Sequence, residues 1–249
     1  HNLSTLSEFN TVRKMFEKQL RDQVPDLSMR KKLTPDYPVG CKRILISDDY
    51  LPAIQRDNVE LVTDGIEAVT ASGVITKDGR ERAVDVIIMA TGFKVFDILD
   101  SIDVTGPNGR SLRDAWAGGV KAHRTVAAPG FPNFFLLLGP NSGLGHNSVI
   151  LMIEAQVKYV IDLIRRAGAG AMIAPTEAAA NAYDERIQRE LQERVWAAGC
   201  GAWYVDENGR NFTLYPQNVR AFIKEMREPD MAEYEVRQMA TTTPITGIN

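Results

Sequence analysis

The stretch "DVIIMATGF", Asp85 to Phe93, constrains the fold of this chain more than any other. Four β-prone apolar residues in a row, Val86 to Met89, make a buried strand. The strand runs into Ala-Thr-Gly, a turn of small residues that brings backbone close to a nucleotide. A doubly wound nucleotide domain opens with strand, glycine-rich loop and helix, with an acidic residue about 20 positions on. No such loop stands upstream of Asp85. "GAGAMI" (Gly168–Ile173) mimics the glycine pattern but follows a helix, and it is discarded. "GLGHNS" (Gly143–Ser148) lies between a strand-like run and a helix.

Around this strand the chain mixes short strands with helices, an α/β order. Residues 8–24 form a charged amphipathic helix with Phe9, Val12, Phe16 and Leu20 on one stripe. A basic link, "KKLTPDYPVGCKR", precedes strand-like runs near 44–47, 59–62, 66–70, 73–76 and 84–89, separated by Asp-Asn, Asp-Gly and Ser-Gly turns. Helices are expected over 147–166, over 176–195 with Thr176 as N-cap, and near 218–226. "NFTLY" reads as a strand, and the polar end beyond it as disordered.

The balance of charge excludes some partners. With 29 Lys+Arg against 32 Asp+Glu, no basic field argues for nucleic acid or an anionic membrane. The longest apolar runs, "FFLLL" and "VILMI", are far too short to span a bilayer. Cys41 and Cys200 show no CxxC or metal spacing, so no metal site is expected. A reducing cytoplasm is the simplest home, and a surface disulfide between them is the open but unsupported alternative. The N-terminus has neither a signal core nor an initiating Met and reads as the cut end of something longer.

Residues 134–138 are expected as a central strand. The following "GPNSGLGHN" turns sharply, with Gly139, Gly143 and Gly145 offering no side chain to obstruct a ligand. Asn147 or Ser148 can cap the next helix, whose stripe of Val149, Ile153, Val157, Val160 and Ile164 is expected to pack inward. The unpaired N–H groups at that helix start suit a phosphate or an electron-rich ring oxygen. A plain strand–turn–helix connection accounts for the same residues, and His146 alone reads as a capping or surface histidine.

Four segments taken together add a resemblance. "TPDYPVGCKRILISDDYLPAIQRDNVELV", "DVIIMATGF", "PGFPNFFLLLGPNSGLGHNSVILMIEAQ" and "AWYVDENGRN" occur in that order. They resemble the C-terminal half of class B flavoprotein monooxygenases of the Baeyer–Villiger type, over about Gln23 to Tyr215. The resemblance implies a partial two-dinucleotide-binding-domain, Rossmann-like fold with its N-terminal half missing. Residues 1–88 would end an NADPH-binding domain with a helical lead-in, 89–230 would complete an FAD-binding domain, and 231–249 would be a polar tail. It further implies FAD and NADP(H) as cofactors, and O2 with a small-molecule ketone as substrates. A C4a-peroxyflavin would attack the ketone carbonyl to give an ester or lactone.

Site residues follow from the same resemblance. Arg43 matches the catalytic arginine beside the flavin, where a fixed cation favours developing negative charge. Lys42 matches a lysine that contacts the 2′-phosphate of NADPH. Ala90, Thr91 and Gly92 would form the crossing between domains. Gly139, Pro140, Asn141 and Val149 would line the flavin, and Trp203 would pack on the nicotinamide cofactor through its flat face and single N–H. Asp48, Asp49 and Tyr50 read as a turn.

The chain also departs from the family pattern. Both glycine motifs, the family fingerprint with its histidine, and the aspartate that pairs with the catalytic arginine are absent. His123-Arg124-Thr125 replace an aromatic, a leucine and a glycine where the substrate pocket would be lined. Oxidation of an amine nitrogen or a sulfide is the alternative within the enzyme class. A truncated, non-catalytic binding module is the alternative outside it.

Overall fold

A computed structural model describes residues 6–92, 102–145, 147–197, 203–206 and 208–238. The chain divides into two units, one within residues 9–39 and 44–94, the other within 1–8, 40–43 and 95–249.

In the first unit, helices α1 (Leu6–Gln23), α2 (Leu27–Leu33) and α3 (Tyr50–Ile54) precede a small sheet. The expected stripe on α1 holds at Phe16 and Leu20: Leu20 is buried with Val24 and Leu51, and Phe16, Met29 and Leu33 pack around them. The Phe9 side chain lies outside the described part. Asp26 caps α2, its Oδ1 accepting from the Met29 amide at 2.7 Å. Strands β1 (Ile66–Val69), β2 (Gly73–Thr76) and β3 (Glu81–Ala83) form an antiparallel meander. Gly73 is required there, because a Cβ would stand 2.0 Å from the Arg82 carbonyl oxygen.

The second unit contains α4 (Leu112–Ala115), α5 (Val149–Ala167), β4 (Ala171–Pro175), α6 (Glu177–Gln192), α7 (Val219–Glu225) and β5 (Tyr234–Gln238). Leu112, Trp116, Ala128 and Phe131 form one buried cluster. Thr176 caps α6 as expected, accepting from the Ala179 amide at 3.1 Å. Asn218 caps α7 in the same way at 3.0 Å.

Several sequence expectations shift. Residues 134–138 are not a strand: the segment makes an isolated bridge at Phe135, and Leu138 adopts φ 55°. The runs at 44–47, 59–62 and 84–89 are likewise outside any sheet among the described residues. "NFTLY" contributes single bridges at Asn211 and Leu214. Residues 234–238, expected in a disordered tail, pair with β4 from Pro175↔Tyr234 to Ala171↔Gln238. The tail is recruited because Tyr234 is buried and its hydroxyl pairs with that of Tyr159 at 2.9 Å. The buried face of α5 is Met152, Gln156, Tyr159 and Leu163, so the helix is turned from the expected stripe, and Val149 and Ile164 are exposed. Cys41, expected as a reduced thiol, is buried and disulfide-bonded. Tertiary approach rather than spacing decides such a bond. Cys200, Phe93 and His146 lie outside the described residues.

Candidate functional site

In the second unit, the glycine loop is built from the protein outward. Gly139 follows the strained Leu138 and lies against the chain: an added Cβ would stand 2.2 Å from the Thr125 carbonyl oxygen. The Leu138 amide donates to Gln156 Oε1 at 2.9 Å, and Gln156 Nε2 donates to Thr125 Oγ1 at 2.7 Å. Pro140 is buried, and Asn141 is 3% exposed with φ 57°. Asparagine tolerates this left-handed backbone better than most residues. Its side-chain amide donates to Asn211 O at 2.8 Å and Leu214 O at 3.0 Å, so both hydrogens are committed to the protein. What Asn141 offers a ligand is therefore the position of the loop rather than a donor.

The loop then zips onto residues 211–215. The Asn141 amide donates to Phe212 O at 2.7 Å, Gly143 N to Thr213 O at 2.8 Å, and Tyr215 N to Gly143 O at 2.8 Å. Gly143 is also needed for packing, since a Cβ would meet Thr213 O at 2.9 Å. Gly145 differs: nothing lies within 4 Å of its would-be Cβ. The open backbone of the loop is thus at Gly145, next to the start of α5. Ser148 sits at the N-cap without a side-chain hydrogen bond, and Val149 follows, partly exposed. Neither fills the space before the helix amides with a capping side chain.

Residues 203–211 carry the site back toward Lys42 and Arg43. Val205 and Asn211 bridge across a turn in which Asp206 Oδ1 accepts the amides of Asn208 and Arg210. Trp203 is 52% exposed and stands edge-on to buried Tyr204, with ring centroids 5.5 Å apart. Tyr204 in turn packs against Trp196, whose indole N–H donates to Gly40 O at 3.1 Å. A ladder of aromatic rings therefore joins Trp203 to the segment carrying Lys42 and Arg43, both exposed. Sequence reading missed Trp196 and Tyr204; the only signal was three aromatic residues within "VWAAGCGAWY". Burial pushes the Tyr204 hydroxyl up to about 12, and it has no hydrogen-bond partner among the described residues. The Arg43 guanidinium has no carboxylate partner among the described residues.

Ala90, Thr91 and Gly92 belong to the first unit, where they are exposed and Gly92 takes φ 83°.

The departure at 123–125 is absorbed inside the fold. His123 is 1% exposed and its Nε2 lies 3.0 Å from Glu233 Oε2, with Tyr183 and Tyr234 edge-on. Arg124 donates to both oxygens of Glu233 and, at 3.2 Å, to Glu225. Glu225 also accepts from the Tyr215 hydroxyl at 2.6 Å and pairs with Arg186. Desolvation lowers the His123 pKa against the opposing pull of Glu233, which keeps the ring neutral. Burial alone would lower Arg124 as well, but hydrogen bonding and charge from Glu233 more than reverse it. These three side chains work as internal ties rather than as a pocket lining. A separate cleft of about 300 Å³, lined by Pro107, Arg110, Met172 and Arg237 among others, contains none of the expected site residues. Among the described residues, no helix is long and apolar enough to cross a membrane.

Comparison with known proteins gives this geometry a context. No family model matches the chain. It is 40% identical over 238 residues to a Baeyer-Villiger monooxygenase of Streptomyces coelicolor, covering 94% of this chain and 46% of that protein. It is also 40% identical over 245 residues to a Baeyer-Villiger monooxygenase of Pseudomonas aeruginosa, covering 96% and 45%. Among solved structures it resembles OTEMO in complex with FAD and NADP, with TM-score 0.81, 31% identity, and coverage of 93% of this chain and 45% of the other. A steroid monooxygenase bound to NADP gives TM-score 0.82 at 28% identity, with 94% and 46% covered. The chain thus spans a little under half the length of the relatives it matches. With sequence and fold agreeing along nearly its whole length, the chain is similar to the C-terminal portion of Baeyer–Villiger monooxygenases and has a partial flavoprotein fold.

Proposed function

We propose that this chain is the C-terminal part of an NADPH- and O2-dependent FAD monooxygenase acting on a ketone. The intact enzyme inserts one oxygen atom of O2 next to the carbonyl, giving an ester or lactone. The other oxygen leaves as water, and NADPH with a proton supplies the two electrons. The observation that carries this reading is 40% identity to Baeyer-Villiger monooxygenases over 94% or more of the chain. We read residues 1–88 as the end of the NADPH domain and 89–230 as the completing part of the FAD domain.

The residues present fit both cofactors. Flavin would lie against the open backbone at Gly145 and the first amides of α5, whose partial positive charge suits the electron-rich ring edge. When bound, the flavin supplies the oxygen activation and the nicotinamide supplies hydride. Gly139, Pro140 and Asn141 hold that loop in register, and Val149 brings the helix start to it. Trp203 offers an exposed flat face to the nicotinamide cofactor, with Tyr204 and Trp196 fixing its place. Lys42 meets the 2′-phosphate as a point charge, and Ala90, Thr91 and Gly92 give the crossing between the domains. Arg43 places a fixed cation where oxygen chemistry builds negative charge, in a site that bound cofactors make dry.

The test is Arg43→Ala in an enzyme completed with its N-terminal half. Ketone oxygenation should fall by about 100-fold or more, as when one electrostatic stabiliser is removed. Sulfide oxidation by the same variant should fall far less. An unchanged ketone rate removes Arg43 from the mechanism, and equal losses of both activities assign Arg43 to cofactor binding or folding rather than to the ketone step.

A further inference from the structure

Among the described residues, six that are not glycine hold a positive φ: Asn108, Arg124, Thr125, Asn133, Leu138 and Asn141. Asparagine tolerates that region, whereas arginine, leucine and above all a β-branched threonine do not. The three intolerant residues meet at one junction in the second unit. Thr125 (φ 65°) follows Arg124 (φ 49°) and sets its carbonyl where a Cβ on Gly139 would stand. Leu138 (φ 55°) immediately precedes that glycine. Strained backbone of this kind persists only where its surroundings over-determine it, and it gathers at ligand clamps and active sites.

One side chain joins the two strained segments. Gln156 is completely buried on α5; its Oε1 accepts from the Leu138 amide at 2.9 Å and its Nε2 donates to Thr125 Oγ1 at 2.7 Å. Thr125 is equally buried, so water competes for neither bond. A glycine at 125 would relieve the backbone but would bring no hydroxyl to Gln156. These bonds tie the entry of the glycine loop to a point about two turns into α5. At the start of the helix Ser148 makes no side-chain bond. Gly145, the open point of the loop, lies between the tied ends at 138 and 156.

We propose that Thr125 and Gln156 are positioning residues for the flavin. Their hydrogen bond holds the 138–148 loop at one height against α5, so that Gly145 and the first helix amides present a single surface to the ring. Both side chains are buried, so they act through the loop rather than by contact. The inference rests on the flavin half of the proposed function and not on the ketone.

The test uses this chain fused to the N-terminal portion of the Streptomyces coelicolor relative that precedes its match. Thr125→Val keeps the shape and strain of threonine and removes only the hydroxyl; Gln156→Leu removes both bonds. Each should change the visible circular dichroism of bound flavin and weaken FAD binding by about tenfold, the worth of one well-placed hydrogen bond. Each should also raise the share of NADPH whose two electrons, with O2 and a proton, end in hydrogen peroxide. Thr125→Ser retains the hydroxyl and should behave as the parent in all three. Thr176→Ala removes a cap of α6 but neither bond, and should lower the urea midpoint while leaving the flavin signals unchanged. Parental flavin signals in Thr125→Val and Gln156→Leu overturn the proposal. So does a serine variant that matches valine, or a Thr176→Ala that shifts the flavin as much, since either leaves the pair to packing alone. A fusion that holds flavin and responds to the variants, yet is inert toward ketones, sinks the reaction and keeps the positioning pair. A parent fusion that holds no flavin sinks the cofactor reading and this inference with it.

Discussion

Individual residues here carry two kinds of demand, and the structure separates them. Gly139 looks from sequence like a glycine kept open for a ligand, yet its missing Cβ makes room for the Thr125 carbonyl. Gly139→Ala should therefore destabilise the chain by roughly 1–3 kcal/mol, the usual cost of forcing atoms into a packed site. Gly145→Ala, facing open space, should cost little. Urea midpoints of the two variants check the contrast; equal effects would contradict it. His123 carries a different consequence. Its folded pKa lies below its unfolded value because desolvation outweighs the pull of Glu233. The unfolded chain therefore takes up a proton first as pH falls. The stability this ring contributes is complete above its unfolded value of about 6.5 and is lost below it as pH falls through the folded pKa. Denaturation at pH 7.5 and pH 5 should show a loss that shrinks in His123→Phe, where Arg124 still pairs Glu233. Arg43 is proposed from the family resemblance alone, since a Lys-Arg pair by itself reads as a solvated patch.

At the scale of elements, helices were legible and strands only in part: the runs at 66–70 and 73–76 are β1 and β2, whereas those at 44–47, 59–62 and 84–89 join no sheet among the described residues. Helix signals are local: a cap residue and a 3.6-residue stripe suffice, and Thr176 caps α6 where the sequence places it, while α7 falls within the expected 218–226. Thr176→Ala should cost about 1 kcal/mol, the typical value of an N-cap. Thermal unfolding measures it, and a change within error would mean the β4–α6 junction is held by β5 instead. The rotation of α5 shows the limit of periodicity. Its sequence has two apolar stripes, and only the partner elements decide which one meets this unit's core. Strands at 44–47 and 84–89 failed to appear as sheet because ladder bonds need a neighbour, and pattern alone cannot supply one. Conversely β5 was hidden in a polar segment, "YEVRQ", because its pairing with β4 uses backbone more than side chains.

For the whole molecule, the decisive feature is what the chain shares with its relatives and what it leaves to the rest of them. The given sequence contains the loop, the aromatic ladder and the Lys42–Arg43 segment, but no glycine-rich phosphate loop to hold a pyrophosphate. Purified alone, it should leave gel filtration without stoichiometric FAD, whereas the completed enzyme should retain it. Flavin absorbance co-eluting one-to-one with the 249-residue chain would overturn this.

By itself, the sequence determined the α/β class, the main helices, the Thr176 cap, and the resemblance to Baeyer–Villiger monooxygenases through four ordered segments. Those features are local or are recorded as residue identity. Only the tertiary structure decided that Asn141 spends its donors on Asn211 and Leu214, and that Trp203 connects through Tyr204 and Trp196 to Gly40. It also decided that His123 and Arg124 close an internal charge network with Glu233 and Glu225. Apart from the neighbouring rings of Trp196, Trp203 and Tyr204, these partners stand far apart in the chain. No short-range pattern encodes such contacts; they exist because packing brings together groups whose burial leaves them no water to bond.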